Sequence, residues 1–360
     1  MKNRVLKLAA ALLILVQLFG CGFYSEISTD KSSDNYIFTD SCGREVSLPK
    51  NITKIAPSGS TAQMILYAIA DDLLVGLSST PSMEQMKYFP EEYINLPTFG
   101  QFYGSKANMN MESLISAEPD VIIDVGDMKE THREDMDSIQ AQTGIPTIFI
   151  EAHLETFAEA YRTLGKLLNR EKTAEELAAY IDEKVNTAKT NSAKIPQDER
   201  VTVMFGTGTT GLDCNAKGSV QADVIELVGA ENAVVVEDVS NKGGGNPINM
   251  EQLYNFDPDV IIFDAAGAYD TVFEDTAWQQ LNAVKNKKVY EIPVMPYNWM
   301  ANPPSVNRIL GISWLGNLLY PEIYDYDMVL EAQRYYKLFW HYELSETEAE
   351  EMLRKSTLSN

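Results

Sequence analysis

Positive charge, histidine and cysteine are all scarce in this chain, and each shortage closes off a class of function. Lys and Arg number 29 against 52 Asp and Glu, a net charge of −23. A chain this acidic repels a polyphosphate backbone, and no basic stretch offsets it, so nucleic acid is excluded as a partner. The three histidines, His132, His153 and His341, are scattered and offer no metal-ligand spacing. Three cysteines are too few for a disulfide scaffold. No Gly-x-Ser-x-Gly elbow, His-Glu-x-x-His or paired-cysteine motif occurs. A secreted α/β hydrolase is the enzyme alternative left, without a motif to carry it. After Cys21 no run is long and apolar enough for a transmembrane helix.

What is present is ordinary globular composition, with 45% hydrophobic and 22% charged residues. The 360 residues suit two domains. Residues 1–20 stand apart. Lys2, Arg4 and Lys7 precede a short apolar run, Leu8 to Phe19, the layout of a secretion signal. The run ends in Leu18-Phe19-Gly20-Cys21, which resembles the lipobox of bacterial lipoproteins. That resemblance makes Cys21 a lipidated first residue; an ordinary or uncleaved signal peptide is the alternative. Residues 21–35 are polar and read as a flexible tether. The expected location is the extracytoplasmic face of a cell membrane, held by lipid.

Two segments align without gaps at a constant offset of 139: Asn110-Met-Glu-Ser-Leu-Ile-Ser-Ala-Glu-Pro-Asp-Val-Ile-Ile123 and Asn249-Met-Glu-Gln-Leu-Tyr-Asn-Phe-Asp-Pro-Asp-Val-Ile-Ile262. Nine of fourteen positions are identical, and the offset is the size of a domain. In each copy Asn suits an N-cap and Glu suits the positive end of a helix. Leu114 and Leu253 face inward, and Pro119 and Pro258 stop the helix. Asp-Val-Ile-Ile then reads as a strand buried on both faces, as in a parallel sheet.

The flanking sequence agrees. Strands are expected at 54–56, 73–77, 121–123, 146–150, 201–205, 260–263 and 288–292. Helices are expected near 60–70, 130–143, 219–228, 304–319 and 327–341. Ala174, Leu177, Ala178, Ile181, Val185 and Ala188 share one face at helical spacing, with Glu175, Glu176, Asp182, Glu183 and Lys184 on the rest. The fold class is α/β: two Rossmann-like lobes with parallel central sheets, 36–168 and 196–360, joined by one long rigid helix within 169–195, with a ligand cleft between them. Cys42 and Cys214 fall in different lobes, and free thiols are expected.

This arrangement resembles the substrate-binding proteins of bacterial ABC importers for ferric siderophores, haem and cobalamin. The likeness is carried by Phe38 to Val46, by Lys54 to Ser58, by the repeated Asn-Met-Glu-x-Leu…Pro-Asp-Val-Ile-Ile, and by Pro303-Pro304-Ser305-Val306-Asn307-Arg308. It implies a monomer that hands a small-molecule metal chelate to a membrane permease dimer, without cofactor, resident metal or catalysis. The alternative ligand is a small oxyanion such as molybdate or tungstate. Ligands of open α/β sheets bind beyond the carboxyl ends of strands. The candidate ligand contacts there are Ser58, Gly59, Ser60, Phe102 and Tyr103 from lobe one, and Thr207, Thr209, Thr210, Asn298, Trp299 and Arg308 from lobe two. The Gly206–Gly211 stretch reads equally as a hairpin turn, and the aromatics equally as core. Arg308, a cation in a first helical turn, asks for an anion or a carboxylate beside it. The resemblance further implies that Glu112 and Glu251, one on each lobe, meet arginines of the permease.

Overall fold

The structure is a computed structural model that describes residues 35–102, 107–241 and 243–357. The leader, Cys21, the tether as far as Asp34, Tyr103 and Lys242 therefore lie outside the described residues, whereas Asn35, expected in the tether, opens a strand. The described residues from Ile37 onward form one compact unit.

Strands β1 (Asn35–Thr39) and β2 (Glu45–Pro49) pair as a two-stranded sheet. The turn between them is organised by buried Asp40. Its Oδ1 accepts the backbone N–H groups of Cys42 and Arg44, and its Oδ2 pairs with the Arg44 guanidinium at 2.9 Å. Lobe one is built on a parallel sheet in the order β3 (Ile55–Pro57), β4 (Val121–Gly126), β5 (Thr147–Glu151). The strand expected at 73–77 is reduced to single bridges, Leu74 to Ile55 and Leu77 to Thr98.

Lobe two has the order β11 (Val289–Glu291), β10 (Val260–Phe263), β6 (Thr202–Thr207), β7 (Asp213–Cys214), β9 (Asn246–Pro247), with β8 (Glu231–Asn232) also on β6. Strands β11, β10, β6 and β8 are parallel, whereas β7 runs antiparallel to both of its neighbours, β6 and β9. The second sheet is thus mixed. Gly206–Gly211 is the hairpin into β7, with Gly208 and Gly211 at φ +74° and +70°. A Cβ on Gly211 would meet the Phe263 ring at 2.4 Å, so the close approach demands glycine.

The internal repeat is a structural duplication. Asn110 caps the Met111–Ser116 helix by accepting from Ser113 N–H, and Asn249 caps Met250–Phe256 through a capping box with Gln252. Leu114 and Leu253 are both fully buried. Each copy then staples the neighbouring strand's start by the same device. Asp120 accepts the backbone N–H and hydroxyl of Thr53 at 2.7 and 3.0 Å. Asp259 accepts the same two groups of Thr202, both at 2.8 Å.

The linking helix spans Glu171–Ser192, 22 residues or about 33 Å. Ala174, Leu177, Ala178, Ile181, Val185 and Ala188 are all buried along it. Lys184, assigned by spacing to the solvent face, is 1% exposed instead. Glu331, on the Met328–Phe339 helix, draws it inward: the Nζ–Oε2 distance is 2.8 Å, and the Tyr180 hydroxyl donates to the other oxygen.

That C-terminal helix does not stay within lobe two. It and the loop after it pack against lobe one through Tyr67, whose ring lies 4.6 Å from Tyr93, 5.1 Å from Phe89 and 6.2 Å from Trp340. The Tyr67 hydroxyl donates to the Trp340 carbonyl, and His341 hydrogen-bonds the Ala68 carbonyl. The linking helix is therefore one of several ties between the lobes.

Candidate functional site

The carboxyl ends of β3, β4 and β5 in lobe one and of β11 in lobe two lead into segments that meet the other lobe. Strand β3 runs into Ser58-Gly59 and the Ser60–Ala70 helix. The Ser305 hydroxyl of lobe two donates to the Thr61 carbonyl on that helix at 3.2 Å. Gln85 of lobe one donates to the Pro296 carbonyl of lobe two at 2.6 Å. The start of the Ser60–Ala70 helix thus faces the segment that opens the Asn307–Leu319 helix.

Ser58 sits at this edge but is 1% exposed. Its hydroxyl donates to Asp124 Oδ1 at 2.5 Å, and Asp124 Oδ2 lies 3.3 Å from His132 Nε2. The Lys129 N–H donates to His132 Nδ1 at 2.8 Å, and the ring stacks on Phe149 with centroids 4.1 Å apart. A serine, a carboxylate and an imidazole meet here, but in the order Ser–Asp–His. The carboxylate stands between the other two groups, bonded to the hydroxyl on one side and facing the imidazole on the other. The chain of groups fixes the loop. Sequence reading ended strand β4 at 123, short of Asp124, and saw His132 only as one of three histidines. The signal for Asp124 was a carboxylate inside an otherwise apolar strand.

Gly59 and Ser60 are partly exposed next to Gln101, which accepts from the Ser60 hydroxyl at 3.3 Å. Half-buried Phe102 donates its N–H to the Ser58 carbonyl, and its ring lines a groove of about 430 Å³ with Met109, Met111 and Ile139. These residues form one cluster on lobe one.

On lobe two the candidates separate. Thr209 and Thr210 are exposed at the hairpin tip. Thr207 is buried and its hydroxyl donates to the Asp213 carbonyl at 2.9 Å. Asn298 folds back on its own turn, accepting from Met300 and Ala301 N–H at 2.8 and 3.0 Å. Trp299 is 2% exposed, beneath the Asn307–Leu319 helix. Gly311 lets its carbonyl approach, since a Cβ there would fall 2.1 Å from that oxygen. Trp299 is a packing residue in this structure, because a side chain so enclosed presents no face to a cleft.

Arg308 is completely buried. Its Nη1 donates to the Val220 carbonyl at 2.7 Å and pairs with Asp223 Oδ2 at 3.2 Å, and the guanidinium lies 5.7 Å from the Phe157 ring of lobe one. The carboxylate asked for by its helical position is thus Asp223 of its own chain. Burial pushes the Asp223 carboxyl up and the Arg308 guanidinium down, and nearby Asp127 and His153 of lobe one also act on Asp223.

Beside Asp223 lies a cavity of about 760 Å³ that spans the junction. His153, Leu154 and Glu155 wall it from lobe one, Lys189, Ser192 and Ala193 from the linking helix, and Lys217, Asp223 and Glu226 from lobe two. Glu112 and Glu251 lie elsewhere, exposed in the first turns of the two repeat helices. Cys42 and Cys214 are free thiols. Among the described residues no group of three or more His, Cys, Asp or Glu is placed to hold a metal ion.

Two α/β lobes, a helical connection and strand ends converging on an interlobe junction define a two-lobed binding protein. The chain belongs to the periplasmic binding protein family, whose model matches residues 55–295. It is similar to the high-affinity heme uptake system protein IsdE of Staphylococcus aureus, 24% identical over 225 residues that cover 60% of this chain and 73% of that one. Among solved structures, an ABC transporter solute binding protein from Sulfurospirillum deleyianum is 30% identical, with a TM-score of 0.82 over 88% of this chain and 99% of that one. The molybdate-bound MolA of Haemophilus influenzae shares the fold at 19% identity, with a TM-score of 0.68 over 86% of this chain and 99% of the other.

Proposed function

We propose that this protein is the lipid-anchored substrate-binding component of an ABC importer, capturing an iron chelate or haem between its lobes. It performs no chemistry on the ligand and works as a monomer. Cys21 carries the anchor at the extracytoplasmic face, and Glu112 and Glu251 meet a two-fold symmetric permease. The single observation that carries the reading is the duplication: two lobes built by the same cap, helix and strand.

The choice of a chelate or haem over a small oxyanion rests on hydrogen bonding. An oxyanion needs donors. The Ser58 and Thr207 hydroxyls already donate inward, to Asp124 and to the Asp213 carbonyl. Among the described residues, the guanidinium buried at the junction is that of Arg308: its Nη1 is paired with Asp223, and its Nε and Nη2, which have no partner, are sealed from solvent. Haem, ferric siderophores, cobalamin and molybdate are to be titrated against the purified protein in thermal denaturation. A cognate ligand stabilises by about 2.7 kcal/mol at a hundredfold excess over its dissociation constant. Stabilisation by molybdate alone, with no response to any chelate or to haem, would refute the ligand class.

A further inference from the structure

We infer that Ile115 and Tyr254 are the apolar anchors of the permease-docking surface, one on each lobe. The inference rests on the docking role proposed for Glu112 and Glu251 and names the chemistry the permease must present. Beside each cation that receives a glutamate, the permease carries an apolar depression, and the two copies are related by its two-fold axis.

Exposed apolar side chains standing singly are normal on a protein surface and mean little. These two are different in one respect. Ile115 is 42% exposed and Tyr254 is 37% exposed, and they are related by the repeat offset of 139. Of the large apolar side chains exposed among the described residues, no other two are so related. Each lies three residues after its glutamate on a helix, and residues three apart on a helix share a face. Each lobe therefore presents the same pair, a carboxylate and a large apolar group side by side.

Shared ancestry of the lobes is the competing account, and the repeat itself tests it. Five of the fourteen positions differ between copies: Ser113 with Gln252, Ile115 with Tyr254, Ser116 with Asn255, Ala117 with Phe256, and Glu118 with Asp257. Where both members of a differing pair are exposed, polar has been exchanged for polar at 116/255 and 118/257. At 115/254 the residue has changed identity and yet remained large and apolar in water. Ancestry explains identical residues, but not a divergent exposed position that keeps its apolar character in both lobes.

The side chains are also suited to anchoring. Tyr254 is held by its hydroxyl, which donates to the Ala277 carbonyl at 3.0 Å, so little freedom is lost on docking. Ile115 is β-branched and stiff at χ1. Interfaces draw most of their affinity from a few such rigid apolar anchors, with neighbouring charges fixing orientation and encounter rate.

The experiment uses the full chain in its own host membranes, with no ligand added. A photo-crosslinking p-benzoylphenylalanine is placed at 115, at 254 and, as a control, at Leu330, which is 63% exposed. Crosslinks from 115 and 254 to the same polytopic permease subunit, absent from 330, are expected. In parallel, dissociation of the full chain from its permease–ATPase complex in lipid nanodiscs is measured for Ile115→Ser, Tyr254→Ser, Tyr254→Phe and Glu112→Arg/Glu251→Arg. Each serine variant is expected to weaken the complex about tenfold, as loss of a hot-spot side chain does. Tyr254→Phe should stay within about threefold, because the ring is retained. The serine losses should persist at high salt, where the glutamate contribution fades. If charge reversal breaks docking while both serine variants bind as the parent does, the anchors are wrong and the docking reading stands. If neither charge reversal nor serine has any effect, the docking reading itself falls.

Discussion

Replacing Lys184 with Ala tests the interior of the linking helix most directly. Lys184 Nζ lies 2.8 Å from Glu331 Oε2 and 3.0 Å from Glu183 Oε1, with the rings of Tyr326 and Tyr180 at 4.6 and 5.2 Å. Glu331 is 8% exposed. Removing the ammonium leaves a buried carboxylate with the Tyr180 hydroxyl as its remaining donor. Breaking a buried pair on one side costs about 3–5 kcal/mol, because the surviving charge stays desolvated. With an unfolding entropy near 2.1 cal/mol/K per residue, a unit of this size should lose roughly 4–7 °C in melting temperature. Had Lys184 sat on the solvent face that its spacing suggested, the cost would be under about 1 kcal/mol.

A double variant separates charge from packing. Lys184→Met with Glu331→Gln removes both charges, fills the lysine stem's volume and keeps an acceptor for Tyr180. It should recover at least half of the single-variant loss, since neutral replacements of buried pairs are often tolerated. The assay is a double-mutant cycle by urea denaturation, with calorimetry for the melting temperature. A Lys184→Ala loss below 1 kcal/mol, or a double variant no better than the single, would refute the reasoning.

Two further outcomes are expected. The Arg334 guanidinium holds the Glu183 carboxyl down at about 2, and the Ser345 backbone N–H does the same for Glu348. Both lie below the value of 4.5 for a free glutamate, so their stabilisation is complete above about pH 4.5 and is lost as pH falls toward 2. Glu183→Gln should therefore flatten the fall in urea midpoint between pH 4.5 and 2, and an unchanged slope would exclude this source of acid sensitivity. For the anchor, Cys21→Ser should move the protein from the membrane to the soluble fraction on cell fractionation. Retention wholly in the membrane would count against lipid on Cys21.

Much of this architecture was legible because it was written twice. The capping asparagine, the inward leucine, the proline stop and the Asp-Val-Ile-Ile strand each obey a local rule, and their recurrence gave two lobes before any contact was seen. The six-residue apolar face of the linking helix was legible for the same reason, since periodicity reports burial. Periodicity could not report Lys184, because a charge buried by a partner 147 positions away leaves no local mark. Nor could it show that Ser58 and Thr207 point their protons inward, or that Arg308 is answered by Asp223. Each of those depends on a partner brought in by the fold. Glycine and aromatic residues near strand ends drew attention to these loops, and burial divides the candidates. Gly59, Ser60 and Phe102 stay partly open, whereas Trp299 goes to the core.

The same tertiary contacts bear on how a ligand is held. A single linking helix would leave the lobes free to swing about its ends. Here the junction is tied again on another flank, where Tyr67, Phe89 and Tyr93 of lobe one meet Trp340 and Tyr297, themselves 5.3 Å apart. Each such aromatic pair contributes about 0.5–1.5 kcal/mol beyond the area it buries. Parting the lobes on that flank would expose several rings at once and strip the Tyr67 hydroxyl of its acceptor. It would cost several kcal/mol by those values, more than a modest ligand returns on closure. Motion that keeps the aromatic flank shut and rocks the lobes about it breaks far less. It strains the Ser305–Thr61 and Gln85–Pro296 hydrogen bonds, each worth about 1 kcal/mol net. The sequence of costs therefore favours small rocking over wide hinge opening. Such a receptor changes shape little between empty and loaded, so the surface it shows a permease depends mainly on fixed groups on the two lobes.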